Sequence, residues 1–314
     1  MGGLFAVASR DNCASDLFFG TDYHSHLGTQ RGGMAVRDSS HIHRVIHDIS
    51  NTQFRSKFDL DLPRFRGPLG IGVISDTEDQ PVLVGSHLGT FAVATVGSIQ
   101  NLDELVASAF RSGHRHFAEM SQGGFNPTEV IASLIAGAES FVAGIRKVQD
   151  LVDGSCSLVV LAEDGIYAAR DRYGRTPLIT GRRDRAFAVT METSAFPNLD
   201  YEIDRYLGPG EVVRITPDGI EQLQAPGSEM QVCSFLWVYY GYPASSYEDI
   251  NTEESRYRCG AALARADRGD GVTVDMVAGI PDSGTAHAVG YANETGLPLK
   301  RPFVKYTPTW PRSF

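Results

Sequence analysis

The residues of this 314-residue chain that could do chemistry fall into a few groups. Asp282-Ser283-Gly284-Thr285 is a polar loop between a β-branched stretch, Val272 to Ala278, and a helical one, Ala286 to Thr295. Strand-to-helix turns present backbone N–H groups on which an anion can settle. The same residues also suit an ordinary N-cap, an Asp or Ser ahead of a helix. A second group is histidines: His24, His26, His41, His43 and His47. On a strand the last three share one face, as a metal site requires. With alternating polar and apolar neighbours and no local acid or cysteine partner, they read instead as a solvated strand face. The cysteines (Cys13, Cys156, Cys233, Cys259) are far apart and form no CxxC pair, which argues against a disulfide framework or a zinc site and for a reducing cytoplasm. Met1-Gly2 resembles a myristoylation start, but Ala6 stands where that signal needs Ser or Thr.

Composition narrows the partners. With 42% hydrophobic and 21% charged residues the chain is of the soluble globular kind, and its length suits two domains. A net charge of −10 with interspersed signs disfavours nucleic acid and anionic membranes. No apolar run approaches the ~20 residues of a membrane helix. The N-terminus lacks the basic region of a signal peptide.

The elements that must position these residues change character along the chain. The first two hundred residues read as strands mixed with a few helices. Strands are expected at the N-terminus through Val7, at Met34 to Val36, His41 to His47, Leu69 to Ile74 and Phe91 to Val96. A helix is expected from Asp11 to Gln30, a second from a capping box at Asn101-Leu-Asp-Glu104 through Phe110, and others at Thr128 to Ala138 and Phe141 to Val152. A meander follows through Ser157 to Leu161, Ile166 to Ala169, Arg175 to Ile179, Ala186 to Thr190 and Glu211 to Ile215. A turn-rich stretch, Gln224 to Ser228, then separates residues 1–228 from 229–314. Beyond it a strand at Phe235 to Tyr240, a helix at Glu253 to Ala266, the Val272 to Ala278 strand, the polar loop, a helix and a strand at Phe303 to Lys305 give the order of a βαβ unit and a parallel sheet. One such unit leaves a sheet face uncovered, so the second domain is expected to be incomplete.

Certain motifs resemble those of the amidophosphoribosyltransferase (glutamine phosphoribosylpyrophosphate amidotransferase) family. Arg170-Asp-Arg-Tyr-Gly-Arg-Thr-Pro-Leu178 is similar to its R-D-x-x-G-x-R-P-L, and Pro209-Gly210-Glu211 to its P-G-E turn. The run Phe235 to Ser246, the loop Ile280 to Gly284 and Lys305 to Phe314 resemble three further family segments in the same order. The resemblance implies an α+β chain: an N-terminal αββα sandwich of the N-terminal-nucleophile, class II glutamine amidotransferase type, then the incomplete start of an α/β phosphoribosyltransferase domain. It implies an enzyme of purine biosynthesis that hydrolyses glutamine in one half and joins the ammonia to phosphoribosyl pyrophosphate in the other.

The residues of the first half depart from that chemistry. Family members begin Met-Cys-Gly, and the cysteine exposed by loss of Met1 is the nucleophile, its α-amine the base. Here Gly2 holds that position, so no catalytic residue is expected. Where the family carries H-x-R-Y to pair the substrate carboxylate, this chain has Val73-Ile74-Ser75-Asp76. An acid beside a hydroxyl repels what a guanidinium fork would hold. Thr95-Val96-Gly97-Ser98 replaces the oxyanion motif H-N-G-N, and Asn126-Pro127-Thr128-Glu129 replaces S-D-S-E. Arg31 in Gln30-Arg31-Gly32 matches the family's H-R-G. One lost oxyanion donor alone costs roughly 3–4 kcal/mol in barrier. The glutaminase half is therefore expected to be inactive.

For the second half the resemblance makes Asp282, Ser283, Gly284 and Thr285 a pyrophosphate loop and Lys305 to Phe314 a closing loop. Lys305 and Arg312 there could meet phosphate charge, with Mg²⁺ accompanying phosphoribosyl pyrophosphate. The family's D-D-S-x-x-x-G-T does not occur before Phe314, so the transferase half is expected to be incomplete and the chain a fragment. Cys233 stands where some members hold an iron–sulfur cluster and others a lone cysteine, and no cluster is expected. The partners expected are phosphoribosyl pyrophosphate and further copies of the chain in a homo-oligomer, with no nucleic acid and no membrane. The alternative is a non-catalytic structural or regulatory protein reusing the fold.

Overall fold

The opening strand, Gly3–Ser9, is buried along its whole length and sets the frame of the molecule. In the computed structural model, which describes residues 2–113, 116–121, 123–269, 271 and 273–305, it lies at the centre of a seven-stranded sheet. The strand order there is Glu202–Tyr206, Ile179–Arg183, Ala186–Thr190, Gly3–Ser9, Leu69–Ser75, Arg31–Arg37, Ile42–Asp48, antiparallel throughout. A second sheet of six runs Gly219–Gln224, Val212–Thr216, Gly165–Ala169, Gly154–Ala162, Gly89–Ile99, Val82–Ser86.

Period-two alternation builds three apolar layers from these strands. Leu4, Ala6 and Ala8 face the core between the sheets, with Ile71, Val73, Ala92, Ala94, Val159 and Leu161. Phe5 and Val7 face outward against Leu17 and Phe18 of the helix Ala14–Asp22. On the far side of the second sheet, Phe91, Val93, Leu158 and Val160 pack on Ile131 and Ile135 of Pro127–Ala136 and on Ile145 and Val148 of Phe141–Leu151. Helix, sheet, sheet and helix make an αββα sandwich, and the chain is α+β.

By compactness the chain divides into Met1–Met191 with Ala195–Val232, and a smaller unit of Cys233–Phe314 with the three residues Glu192–Ser194. In the smaller unit the helices Thr252–Ala266 and Thr285–Thr295 meet through small residues. A Cβ on Gly260 would lie 1.8 Å from the His287 carbonyl, and one on Gly290 2.0 Å from that of Tyr257. Val277–Ala278 pairs in parallel with Leu299–Lys300, the pairing that the strand–helix–strand order predicts. Each residue of Glu192–Ser194 is bonded within this unit. The Glu192 carboxylate accepts from Tyr242 N–H (3.1 Å) and from the Tyr247 hydroxyl, Thr193 Oγ1 accepts from Ser246 N–H at 2.8 Å, and Ser194 Oγ meets Ser245 Oγ at 2.9 Å.

Several local expectations are corrected. Phe235 to Tyr240 is no strand but a wide helical turn at Leu236–Tyr240, whose Trp237 carbonyl is taken by the buried Arg256 guanidinium at 2.8 Å. Its aromatics do not alternate: Phe235 and Tyr239 are exposed and lie 5.4 Å apart, while Trp237 is buried against Tyr247. The last strand is Leu299–Lys300, not Phe303 to Lys305, and the strand before the loop shrinks to Val277–Ala278, with residue 272 outside the described residues. The first helix covers Ala14–Asp22 alone. Asn101 caps no helix with its side chain, which instead holds Asp153 N–H and the Leu151 carbonyl at 2.9 Å. Residues 175–178 precede the strand Ile179–Arg183 rather than belonging to it. His41 lies outside Ile42–Asp48, and the histidines have separate partners: His47 Nε2 meets Asp61 at 2.7 Å and His43 packs edge-on to Phe65. Among the described residues no helix is long and apolar enough to cross a membrane.

Candidate functional site

Gly2 and Gly3 lie beside the end of Leu69–Ser75, where Gly3 pairs with Ile74. A Cβ placed on Gly2 would sit 2.1 Å from the Ile74 carbonyl oxygen, a distance no real side chain tolerates. The backbone at Gly2 lies directly against that of Ile74, with no room for a side chain.

The residues around it are bonded to one another. Ser75 Oγ donates to the Glu78 carboxylate at 3.1 Å and accepts from the N–H groups of Thr77 and Glu78 at 3.3 and 3.2 Å. The Thr77 hydroxyl also donates to Glu78. Asp76 accepts from Thr29 N–H at 3.0 Å. The Gln80 amide clamps both backbone groups of Thr95, at 2.8 and 3.1 Å, and accepts from the Thr128 hydroxyl at 3.1 Å. Asn126 caps Pro127–Ala136 through Thr128 N–H (2.9 Å) and Glu129 N–H (3.3 Å) and donates to the Asp79 carbonyl at 2.8 Å. Arg31, the matched arginine, is held between Asp48 at 2.5 Å and Asp79 at 2.7 Å.

Two cavities adjoin here. The inner one, bounded by Gly2, Ser75 to Glu78, Gln80 and Thr95 to Gly97, has about 40 Å³, room for a few waters at most. The outer cleft, about 390 Å³, is lined by Glu78, Val96, Gly97, Ser98, Pro127, Ser155 and Cys156 among others, with no cation among the described residues. Val96 and Gly97 continue the strand Gly89–Ile99, and Gly97 pairs with Cys156. Gly97 has φ +149°, and a Cβ there would meet the Ser155 carbonyl at 2.0 Å, so that position admits only glycine. Cys156 is the thiol in the cleft, which sequence reasoning missed; its adjacency follows only from the pairing of two distant strands. Burial pushes its thiol, like that of Cys13 in the core, up to about 12, so neither supplies a thiolate at neutral pH.

In the smaller unit a groove of about 400 Å³ is lined by Gly279, Pro281, Asp282, Thr285, Lys300 and Arg301, with Leu299 and Phe303 as apolar walls. Asp282 and Thr285 of the predicted loop thus reach it, while Ser283 and Gly284 supply the turn behind. The N-cap of Thr285–Thr295 is Gly284 with no side-chain cap, so Asp282 and Ser283 are not spent on capping. Gly284 N–H and Thr285 N–H are already given to the Ile280 carbonyl (2.9 Å) and the Asp282 carbonyl (3.1 Å). Lys305 Nζ stands 3.3 Å from Asp282. Arg312 lies outside the described residues. Lys300 and Arg301 are cations that sequence reasoning did not single out; two adjacent basic residues after Leu297-Pro298-Leu299 were the available signal.

Known proteins resemble this arrangement. A glutamine amidotransferase domain family matches residues 68–198. The amidophosphoribosyltransferase of Methanocaldococcus jannaschii is 27% identical over 97% of this chain and 69% of its own length. That of Mycobacterium tuberculosis is 30% identical over 96% of this chain, which spans 59% of that relative. Among solved structures, the glutamine phosphoribosylpyrophosphate amidotransferase from B. subtilis complexed with ADP and GMP aligns with a TM-score of 0.84 at 24% identity, over 99% of this chain and 69% of that one; at that identity the likeness speaks to the fold. Relatives of one name thus match nearly the whole of this chain across both units, and the chain belongs to the amidophosphoribosyltransferase family.

Proposed function

We propose that this chain is an amidophosphoribosyltransferase homologue of purine biosynthesis whose glutamine-hydrolysing half is a catalytically inactive scaffold. The observation that carries this reading is the closure at Gly2, where a Cβ would lie 2.1 Å from the Ile74 carbonyl. The cleft beside it supports the same reading. Glu78 lines it, Asp76 and Glu78 line the adjoining cavity, and among the described residues neither cavity carries a cation to pair with an amino-acid carboxylate.

In the second unit the reading is a partial phosphoribosyl pyrophosphate site. Lys300 and Arg301 neutralise phosphate oxygens, and Thr285 and Asp282 bound the groove in which the pyrophosphate rests. Asp282 is the carboxylate on this groove that would hold a Mg²⁺ arriving with the phosphates, an ion that would offset their negative charge. The reaction joins ammonia nitrogen to the ribose C1 as the C1–O bond to pyrophosphate breaks, with one proton leaving the nitrogen. Free ammonia is the nitrogen source in this reading, with a cytoplasmic location and a homo-oligomeric state. A second reading, a structural or regulatory protein reusing the fold, is favoured by one observation: the polar groups of the first half's cleft, Ser75, Thr77 and Glu78, are bonded to one another.

Purified protein is mixed with glutamine, and glutamate release is expected to stay at background; turnover above it overturns the inactive scaffold. Calorimetric titration with Mg²⁺–phosphoribosyl pyrophosphate is expected to show binding that Lys300→Gln with Arg301→Gln weakens roughly tenfold, the size of one lost charge-assisted contact. Failure of the unaltered protein to bind overturns the transferase reading and leaves the second.

A further inference from the structure

The larger unit carries a third hollow that neither reading uses. It is an open groove of about 400 Å³ bounded by Arg146, Gln149, Asp150, Arg172, the Pro209-Gly210 turn and Gln224 to Gly227. That volume lies within the range of small-molecule sites. Arginines elsewhere in this acidic chain, such as Arg10, Arg31, Arg44, Arg55, Arg185 and Arg214, sit against carboxylates. Arg146 and Arg172 have no acidic partner within ion-pair distance among the described residues, although Asp150 lies on the same rim.

Both guanidinium groups are nevertheless oriented. Arg146 donates Nε to the Gln224 side-chain oxygen. Gln224 in turn donates to the Gln149 side chain at 2.9 Å and to the Gly210 carbonyl at 2.6 Å. Gln149, itself buried, is anchored on the carbonyls of Arg170 and Gly210 at 3.0 and 3.1 Å. This relay uses the Nε edge of Arg146 and leaves its terminal nitrogens unbonded among the described residues. Arg172 lies over the Tyr173 ring at 5.4 Å, and Tyr173 is also met by Arg175 at 5.1 Å. A guanidinium fixed by neutral partners keeps its charge and its forked donors for an incoming group.

We infer that this groove binds a compact phosphate dianion, the phosphate monoester of a small metabolite, gripped by Arg146 and Arg172. Two forks match the oxygens of one phosphate. The Asp150 carboxylate on the rim and the net charge of −10 disfavour an extended polyanion. The site is separate from the groove of Lys300 and Arg301, and its presence does not depend on the transferase reading.

The test is calorimetric titration of the full chain at low ionic strength, where charge contacts are least screened, with inorganic phosphate, ribose 5-phosphate and AMP, each without metal. Binding is expected to persist in the Lys300→Gln/Arg301→Gln protein and to fall at least tenfold in Arg146→Gln/Arg172→Gln. The unfolding midpoint of the latter should match the unaltered protein, since both side chains are exposed. Gln224→Leu keeps every charge and is expected to weaken binding several-fold by releasing Arg146; Arg146→Lys should do the same. Equal affinity for the three probes identifies a free-phosphate site, preference for the two esters a sugar-phosphate site, and preference for AMP alone a nucleotide site. Retained binding in Arg146→Gln/Arg172→Gln, or no binding of any probe, overturns the inference.

Discussion

Two regions of the larger unit carry the family resemblance in opposite ways. Around Arg170, Asp171 and Glu211 the family's residues are kept, and all three side chains are turned inward. Asp171 accepts from the N–H groups of Tyr173, Arg175 and Thr176 at 3.2, 3.1 and 2.7 Å, and Arg170 takes the carbonyls of Leu207 and Gly174. Glu211 is paired with Arg205 at 2.7 Å and with Gly208 N–H at 2.7 Å. Around Gly2, Ser75, Val96 and Pro127 the sequence departs from the family's motifs, and the polar residues there, Ser75, Thr77 and Glu78, are bonded to one another. The motifs that identify the chain are therefore those that shape its turns. Motif retention here reports architecture.

That contrast can be broken at either end. The largest effect is expected from Asp171→Ala, which orphans three N–H groups, the buried one of Thr176 and the half-buried ones of Tyr173 and Arg175. It should cost about 4 kcal/mol in urea unfolding, since each unsatisfied buried donor costs about 1–3 kcal/mol. A loss under about 1 kcal/mol would mean the retained motif is not structural. Gly2→Cys comes next. Overpacking against the Ile74 carbonyl should cost about 2 kcal/mol with glutamate release still absent. Restored glutaminase activity from this one change would show that the cleft had kept its function.

Glu211 gives an effect of about 2 kcal/mol, typical of hydrogen bonds to a charged group, with a pH signature. Burial pushes its carboxyl up, but the bonds from Arg205, Gly208 N–H and Gln222 outweigh this and hold it below its ordinary 4.5. A depressed acid stabilises the fold at pH above its unfolded value, and that stabilisation is lost as pH falls through the folded value. Acid unfolding of Glu211→Gln should therefore be flatter than that of the unaltered protein below pH 4.5, with the two curves parallel above it. The smallest change is expected from Glu78→Gln in the cleft beside Gly2, where the amide oxygen still accepts from the Ser75 and Thr77 hydroxyls. A shift within about 0.5 kcal/mol should be seen by thermal denaturation.

The sandwich was legible because its strands are buried on alternating faces, so Leu4, Ala6 and Ala8 separate cleanly from Phe5 and Val7. The Phe235 to Tyr240 run was misread because its partner is remote. The carbonyls that a strand would have paired are taken by Arg256, and no local pattern announces an arginine that will be buried 19 residues on. The departures from the family's motifs at Gly2, Ser75 and Val96 are legible in the sequence because each is a change of residue type. The contact of Gly2 with Ile74 and the approach of Cys156 are not, since both depend on strand register. In the groove of the smaller unit, Asp282 and Thr285 were found through the loop pattern. Lys300 and Arg301 were passed over because they enter through the short parallel pairing of Val277–Ala278 with Leu299–Lys300.

Glu192–Ser194 bears on how the molecule can be cut. These residues sit in the sequence between a strand and a turn of the sandwich, yet their side chains complete the smaller unit. A gene fragment starting near residue 229 would encode that unit without its buried carboxylate, leaving Tyr247 and Tyr242 N–H facing an empty corner. The smaller unit is thus not a cassette that can be lifted out, shuffled or fused elsewhere by a single splice, and any working dissection has to carry the Glu192 segment along with it.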